Sequence, residues 1–180
     1  MTAMGISLLK VLVSETNIKN PENILTMIHE HILESDTDHG VQMIGMEMAI
    51  CTIDHTNDVL CYSGANINLQ GINTEKKLEI FKANRFVLGS PYMNLTTLKS
   101  YQIENASDYH FFLYTDGVID QIGGQESKKF GRKTLFDILN IVNQNITMQE
   151  IKHTIEQYLS NWKGKNEQTD DVTLICFKTR

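Results

Sequence analysis

The stretch that most constrains this chain is F-F-L-Y-T-D-G-V-I-D at residues 111–120. An apolar and aromatic run, Phe111 to Tyr114, climbs to Thr115 and stops at Asp116-Gly117. Such a run bounded by Asp-Gly predicts a buried strand that ends in a tight turn. A strand of this kind holds the Asp116 carboxylate at the edge of a core. A buried carboxylate is costly without a cation, a hydrogen-bond donor or a metal beside it. Asp116 therefore either meets such a partner or only shapes the turn and caps the next helix.

The rest of the chain arranges itself around that strand. Residues 4–14 are apolar nearly all round and predict a helix buried on most of its surface. It begins without a cap, which implies further chain before it. Asn20-Pro21 opens a second helix, with Asn as cap and Pro at the first position. Ile24, Met27, Ile28 and Ile32 fall on one face of it, and it ends in the polar stretch 34–40. From residue 43 the period changes. Strands are expected over 43–54, 59–63, 67–72, 77–81, 98–104 and 109–115, with a polar turn at 55–58 and a break at 64–66. This is a run of antiparallel strands and not a series of alternating βαβ units.

After Asp120 the helical period resumes. Gly123-Gly124 and Phe130-Gly131 mark loops. Leu135, Ile138, Leu139 and Val142 form one amphipathic face. Met148, Ile151, Ile155, Tyr158, Leu159 and Trp162 form a second, with Thr147 as cap and Glu150 placed for a capping box. A polar loop leads to Asp170-Asp171, and 172–178 is the closing strand. With no repeat or linker, residues 1–180 read as a single layered domain, antiparallel sheets covered by helices.

Composition narrows the function. A net charge of −6 with no Lys/Arg stripe argues against a nucleic-acid partner. It suits a site that collects divalent cations. Cys51, Cys61 and Cys176 are expected to be buried free thiols, since no C-x-x-C spacing suggests zinc. No apolar stretch is long enough to span a bilayer, and no signal peptide precedes the first helix. The chain is expected to be cytoplasmic, without membrane contact by this segment. The six histidines show no ligand spacing, and surface or hydrogen-bonded positions are expected for them.

The second chemical feature is Q-T-D-D-V-T at residues 168–173. Two adjacent carboxylates at the mouth of a strand point opposite ways if both are extended, so one can face a site. Alone, the pair reads equally as a solvated turn. Together with T-D-G it gives two carboxylates, each at a strand end, and hard cations such as Mg²⁺ and Mn²⁺ take such oxygen ligands.

Y-T-D-G-V-I-D, then F-G, then Q-T-D-D-V-T-L-I, resembles the metal-dependent protein phosphatases of the protein phosphatase 2C class, and more narrowly the bacterial SpoIIE/RsbU branch. I-G-M-E-M-A-I-C-T-I-D at 44–54 and Y-S-G-A-N at 62–66 are similar to that branch's strand pair. M-T-A-M-G-I-S-L-L at 1–9 resembles the helix that follows its first metal motif. The resemblance implies an α+β fold, a layered α-β-β-α sandwich with antiparallel sheets. It implies a two-metal Mg²⁺ or Mn²⁺ site whose bound water hydrolyses phosphoserine or phosphothreonine. It implies Asp116 and Asp170 as metal ligands and Gly117 as the point where backbone approaches the site. Asp171 and Asp120 are implied as supporting residues. The implied partner is a phosphorylated regulatory protein, of the kind that antagonises anti-sigma factors.

One part of the family pattern has no match. The Asp and G-H-G of the first metal motif should precede the opening helix, and residue 1 already lies on that helix. D-T-D-H-G at 36–40 is superficially similar but lies after that place, and it reads as a loop. The chain is thus expected to be an N-terminally incomplete domain, weakly active or inactive alone. The alternative is a non-catalytic binding module that keeps the fold. Sheet edges left open would favour a dimer.

Overall fold

The apolar run at 111–114 is an inner strand of a four-stranded antiparallel sheet. The computed structural model describes residues 6, 7, 9, 10, 19–39, 45–91, 98–140 and 146–180. In chain order the elements are α1 (Pro21–His39), β1 (Met48–Asp54), β2 (Val59–Ala65), β3 (Leu69–Ile72), β4 (Leu78–Phe81), β5 (Ser100–Glu104) and β6 (His110–Tyr114). They continue with α2 (Asp116–Asp120), β7 (Ile122–Gly123), β8 (Lys128–Lys129), α3 (Gly131–Leu139), α4 (Met148–Lys163) and β9 (Leu174–Phe177). The chain falls into two compact units.

The first unit takes its described residues from Met1–Leu69 and Phe81–Ala106, with Thr179. Its sheet has the order β1-β2-β5. β1 and β2 form the expected hairpin, with Asp54 opposite Val59. Asp54 Oδ1 accepts hydrogen bonds from the N–H groups of Thr56 and Asn57, which close the polar turn. Helix α1 starts where Asn20-Pro21 places it, since Asn20 Oδ1 accepts from the Glu22 N–H at 3.1 Å. Ile24, Leu25, Ile28 and Ile32 of α1 are buried with Ile50, Ala65, Phe86 and Leu88. Met27 is only half-buried, and Leu25 takes its place in the apolar stripe.

The second unit comprises Gln70–Ile80 and Ser107–Lys178, with Arg180. Its sheet has the order β4-β3-β6-β9. Phe112 lies opposite Gln70 on one side and Cys176 on the other. Phe112, Val118, Phe130, Leu135, Ile138, Leu139, Ile151 and Ile155 are buried together. Helices α3 and α4 thus bury Leu135, Ile138, Leu139, Ile151 and Ile155 of the faces that their periodicity assigns. The capping box at the start of α4 is complete. The Glu150 N–H donates to Thr147 Oγ1 at 3.2 Å, and the Thr147 N–H donates to Glu150 Oε2 at 2.8 Å. Those bonds hold the Glu150 carboxyl below its usual pKa.

Several local expectations need correction. Asp116-Gly117 opens the five-residue helix α2 and is not a tight turn. Residues 36–39 are the last turn of α1 and not a loop, because the helix runs on through the polar stretch. Phe130-Gly131 does not mark a loop, since Phe130 is buried and Gly131 opens α3. Residues 122–129 form a small hairpin, β7 with β8. Tyr158 stands 46% exposed, off the buried face of α4. Of the helix expected over 4–14, residues 6, 7, 9 and 10 are described and helical, and Ile6 is exposed. Residues 40–44 and Val142 lie outside the described residues.

The three cysteines are free, and half-buried where full burial was expected. Burial pushes the thiols of Cys51 and Cys176 up to about 12. His29 is buried and its Nδ1 accepts from the Gly89 N–H at 3.0 Å. His110 breaks the expected pattern: it is 1% exposed, and neither ring nitrogen has a hydrogen-bond partner. No helix among the described residues is long and apolar enough to cross a membrane.

Phe112→Ala should cost about 3–5 kcal/mol of stability, because it empties a volume walled by both helices and strands; denaturant unfolding measures it. Cys51 and Cys176 should react with a thiol reagent at pH 8 far more slowly in the native chain than in the unfolded one, since only the thiolate reacts. Equal rates in the two states would contradict their burial.

Candidate metal centre

The two carboxylate motifs are joined through Thr115. This residue follows β6 in extended conformation, with φ −82° and ψ 160°. Its N–H donates to the Thr173 carbonyl at 3.0 Å. Its hydroxyl donates to the Asp171 carbonyl at 2.9 Å and accepts from the Thr173 N–H at 3.0 Å. One short side chain thus prolongs the β6–β9 pairing past Tyr114–Leu174 and ties T-D-G to D-D-V-T.

Gly117 closes the contact. A Cβ at this position would lie 2.3 Å from the Asp171 carbonyl oxygen and 2.9 Å from its carbon. Backbone is what it would strike, so any side chain here forces segment 170–171 away. The sequence needs glycine at 117 for this close approach.

The four acidic residues differ in their surroundings. Asp116 is exposed at the first position of α2. Asp170 is exposed too, and its Oδ1 accepts from the Asp171 N–H at 2.7 Å. The Gln168 side chain donates to the Asp170 carbonyl at 2.9 Å. Asp170 sits at a bend ahead of β9. Asp171 contributes its main-chain carbonyl to Thr115. Asp120 faces Lys129 of β8 in an exposed ion pair at 2.9 Å.

The donor chemistry fits a hard cation, since Asp116 and Asp170 offer only oxygen. No group of three or more His, Cys, Asp or Glu side chains placed to hold a metal occurs among the described residues.

A brace behind the motifs was not foreseen. Gln121 is buried at the end of α2, and its side-chain amide donates to the Glu167 carbonyl at 2.9 Å. Its main-chain carbonyl accepts from the Phe130 N–H at 2.9 Å and from Trp162 Nε1 at 3.2 Å. The Gly124 N–H donates to the Trp162 carbonyl at 2.8 Å. A Cβ on Gly123 would lie 1.9 Å from that same oxygen. These contacts set the end of α4, and with it the loop that leads to Asp170. The signal in the sequence was Gly123-Gly124 together with the sole tryptophan, Trp162.

Comparison with known proteins agrees with this topology. The family model described as Stage II sporulation protein E (SpoIIE) matches residues 1–180. The SiaA-PP2C domain of Pseudomonas aeruginosa superposes with a TM-score of 0.82 at 20% identity, over 98% of this chain and 68% of that one. RsbX in complex with magnesium gives 0.61 at 13% identity, over 97% of this chain and 71% of its own. The phosphatase domain of the cell fate determinant SpoIIE from Bacillus subtilis gives 0.56 at 12% identity, over 97% and 73%. No curated protein sequence matches this chain. The structural likenesses establish the fold, an α+β protein phosphatase 2C-like arrangement with antiparallel sheets.

Thr115→Val should lower stability by about 0.5–1.5 kcal/mol, because it removes the hydroxyl's bonds to the Asp171 carbonyl and the Thr173 N–H. Gly117→Ala should cost ~1–3 kcal/mol through overpacking against backbone. Thermal melts followed by circular dichroism test both, and wild-type melting in either variant would refute the joining of the two motifs.

Proposed function

Since this chain belongs to the SpoIIE family of protein phosphatase 2C-like domains, we propose that residues 1–180 are part of one metal-dependent phosphatase domain that hydrolyses phosphoserine or phosphothreonine on a regulatory protein in the cytoplasm. The observation that carries this reading is the joining of T-D-G to D-D-V-T through Thr115. It gives two oxygen-bearing side chains, Asp116 and Asp170, on segments held against each other. These two would hold Mg²⁺ or Mn²⁺, and the magnesium in the RsbX complex supports that choice of ion. When bound, the metal pair activates a water for attack on phosphorus and neutralises the phosphoryl oxygens.

The residues of this chain do the positioning. Gly117 lets segment 170–171 approach. Thr115 fixes the Asp171 carbonyl, and the Asp171 N–H holds one oxygen of Asp170, so that side chain enters the site already oriented. Asp120 is a support at the far end of α2, held by Lys129.

A second reading is a non-catalytic module that keeps the fold. What favours it is that two carboxylates are few for a metal pair, and no third ligand joins them among the described residues. Both readings agree that this chain binds Mn²⁺ weakly, and they part on turnover.

Mn²⁺ binding followed by electron paramagnetic resonance should weaken at least about tenfold in Asp116→Asn and in Asp170→Asn, the lower end of what losing even an outer partner costs. Hydrolysis of p-nitrophenyl phosphate should be slow, Mn²⁺-dependent and lost in both variants. Binding that neither substitution alters would remove the site assignment. Folded wild-type chain that binds Mn²⁺ and shows no turnover would select the non-catalytic module.

A further inference from the structure

Four of the chain's 16 Lys and Arg side chains fall within residues 128–133, K-K-F-G-R-K. Lys128 and Lys129 form β8, and Arg132 and Lys133 lie in the first turn of α3. Gly131 between them has φ +77°, in the left-handed region that favours glycine. It turns the chain from β8 into α3, so both pairs of cations share one corner. Phe130 anchors that corner. Its ring is buried, and its N–H donates to the Gln121 carbonyl at the end of α2. All four cations are exposed, and a Cβ on Gly131 would meet nothing within 4 Å, so the corner is open to a partner.

The helix gains nothing from these charges. The first turn of α3 holds no acidic residue, and cations there oppose the helix dipole. Neither Arg132 nor Lys133 makes an ion pair among the described residues. Lys128 pairs with Glu126 at 2.5 Å and Lys129 with Asp120 at 2.9 Å, but both pairs are exposed and give way to a partner at little cost. The next acid on α3 is Asp137, a turn beyond Lys133. Position completes the argument. Lys129 reaches Asp120, which ends the helix that Asp116 opens, about 6 Å along its axis. Burial raises the pKa of the Tyr114 phenol and the Arg132 charge lowers it, so Arg132 lies near the end of β6 that leads into Thr115. An extended peptide advances about 3.3–3.6 Å per residue, so one held at Asp116 reaches the corner within a few residues. Guanidinium and ammonium groups on one corner suit a short run of carboxylates. A nucleic-acid backbone needs cations along a longer track.

We propose that Lys128, Lys129, Arg132 and Lys133 form a docking surface for an acidic protein segment, the stretch that flanks the phosphoserine or phosphothreonine of the substrate. The surface stands on its own charges, and its role toward a substrate rests on the phosphatase reading.

Fluorescence anisotropy with labelled peptides tests it. A phosphoserine peptide with Asp and Glu around the phosphoserine should bind at least about tenfold tighter than the same peptide with Asn and Gln in their place. Added salt should narrow that gap. The double variant Arg132→Glu with Lys133→Glu should abolish it. Acids suit the first turn of a helix, so this variant should keep its fold, as circular dichroism will show. Equal affinity for the two peptides overturns the proposal, and so does a preference that survives the double reversal. Duplex DNA that binds more tightly than the acidic peptide overturns it too, because the corner is then a nucleic-acid surface. Failure of the phosphatase reading has a different signature. The acidic preference stands, and the Mn²⁺-loaded chain releases no phosphate from either peptide.

Discussion

The hydroxyl of Thr115 is the interaction on which the second unit's chemistry depends. It donates to one main-chain group of segment 171–173 and accepts from another. A hydroxyl can do both, and no apolar side chain of the same size can do either. The bonds lie where β6 and β9 stop pairing through backbone alone. Remove them and one backbone bond, from the Thr115 N–H to the Thr173 carbonyl, is left to join the motif that follows β6 to the motif that precedes β9.

A second layer holds that link from behind. The buried amide of Gln121 and the indole of Trp162 converge on the end of α2. Together they fix α2, the β7–β8 hairpin and the C-terminal end of α4. The divide is sensible physically. Acidic side chains that could take a cation are left exposed, and behind them the neutral amide of Gln121 is buried and hydrogen-bonded. Burying the carboxylates instead would raise the cost of leaving them charged.

Much of this was legible in the sequence, for local reasons. β6 was visible because aromatic residues run unbroken to an Asp-Gly stop. α4 was visible because Thr147 and Glu150 stand at capping-box spacing, and the α1 start because Asn20 precedes Pro21. Each signal is complete within a few residues. The illegible parts depend on residues far apart in the chain. Helix α2 has five residues, too few for a 3.6-residue period to register. The β7–β8 hairpin is held by Trp162, some forty residues on. Residues 36–39 look like a loop by composition, yet they continue a helix already nucleated upstream, since propagation is easier than initiation. At the candidate site, the residue types and their order along the chain were readable. The hydrogen bonds that join them were not, because a threonine's partner across a sheet leaves no mark in its own neighbourhood.

His110 carries a consequence of a different kind. Its imidazole is enclosed, without a partner for either nitrogen. Desolvation first, and then the Lys178 charge, lower its pKa from the ordinary 6.5. The folded chain therefore holds it neutral, while the unfolded chain takes up a proton as pH falls through that value. Stability is intact above about 6.5 and drains away below it, until the folded form can be protonated as well. Strand β6, which delivers Thr115 and Asp116, thus carries an acid-sensitive point in its own core.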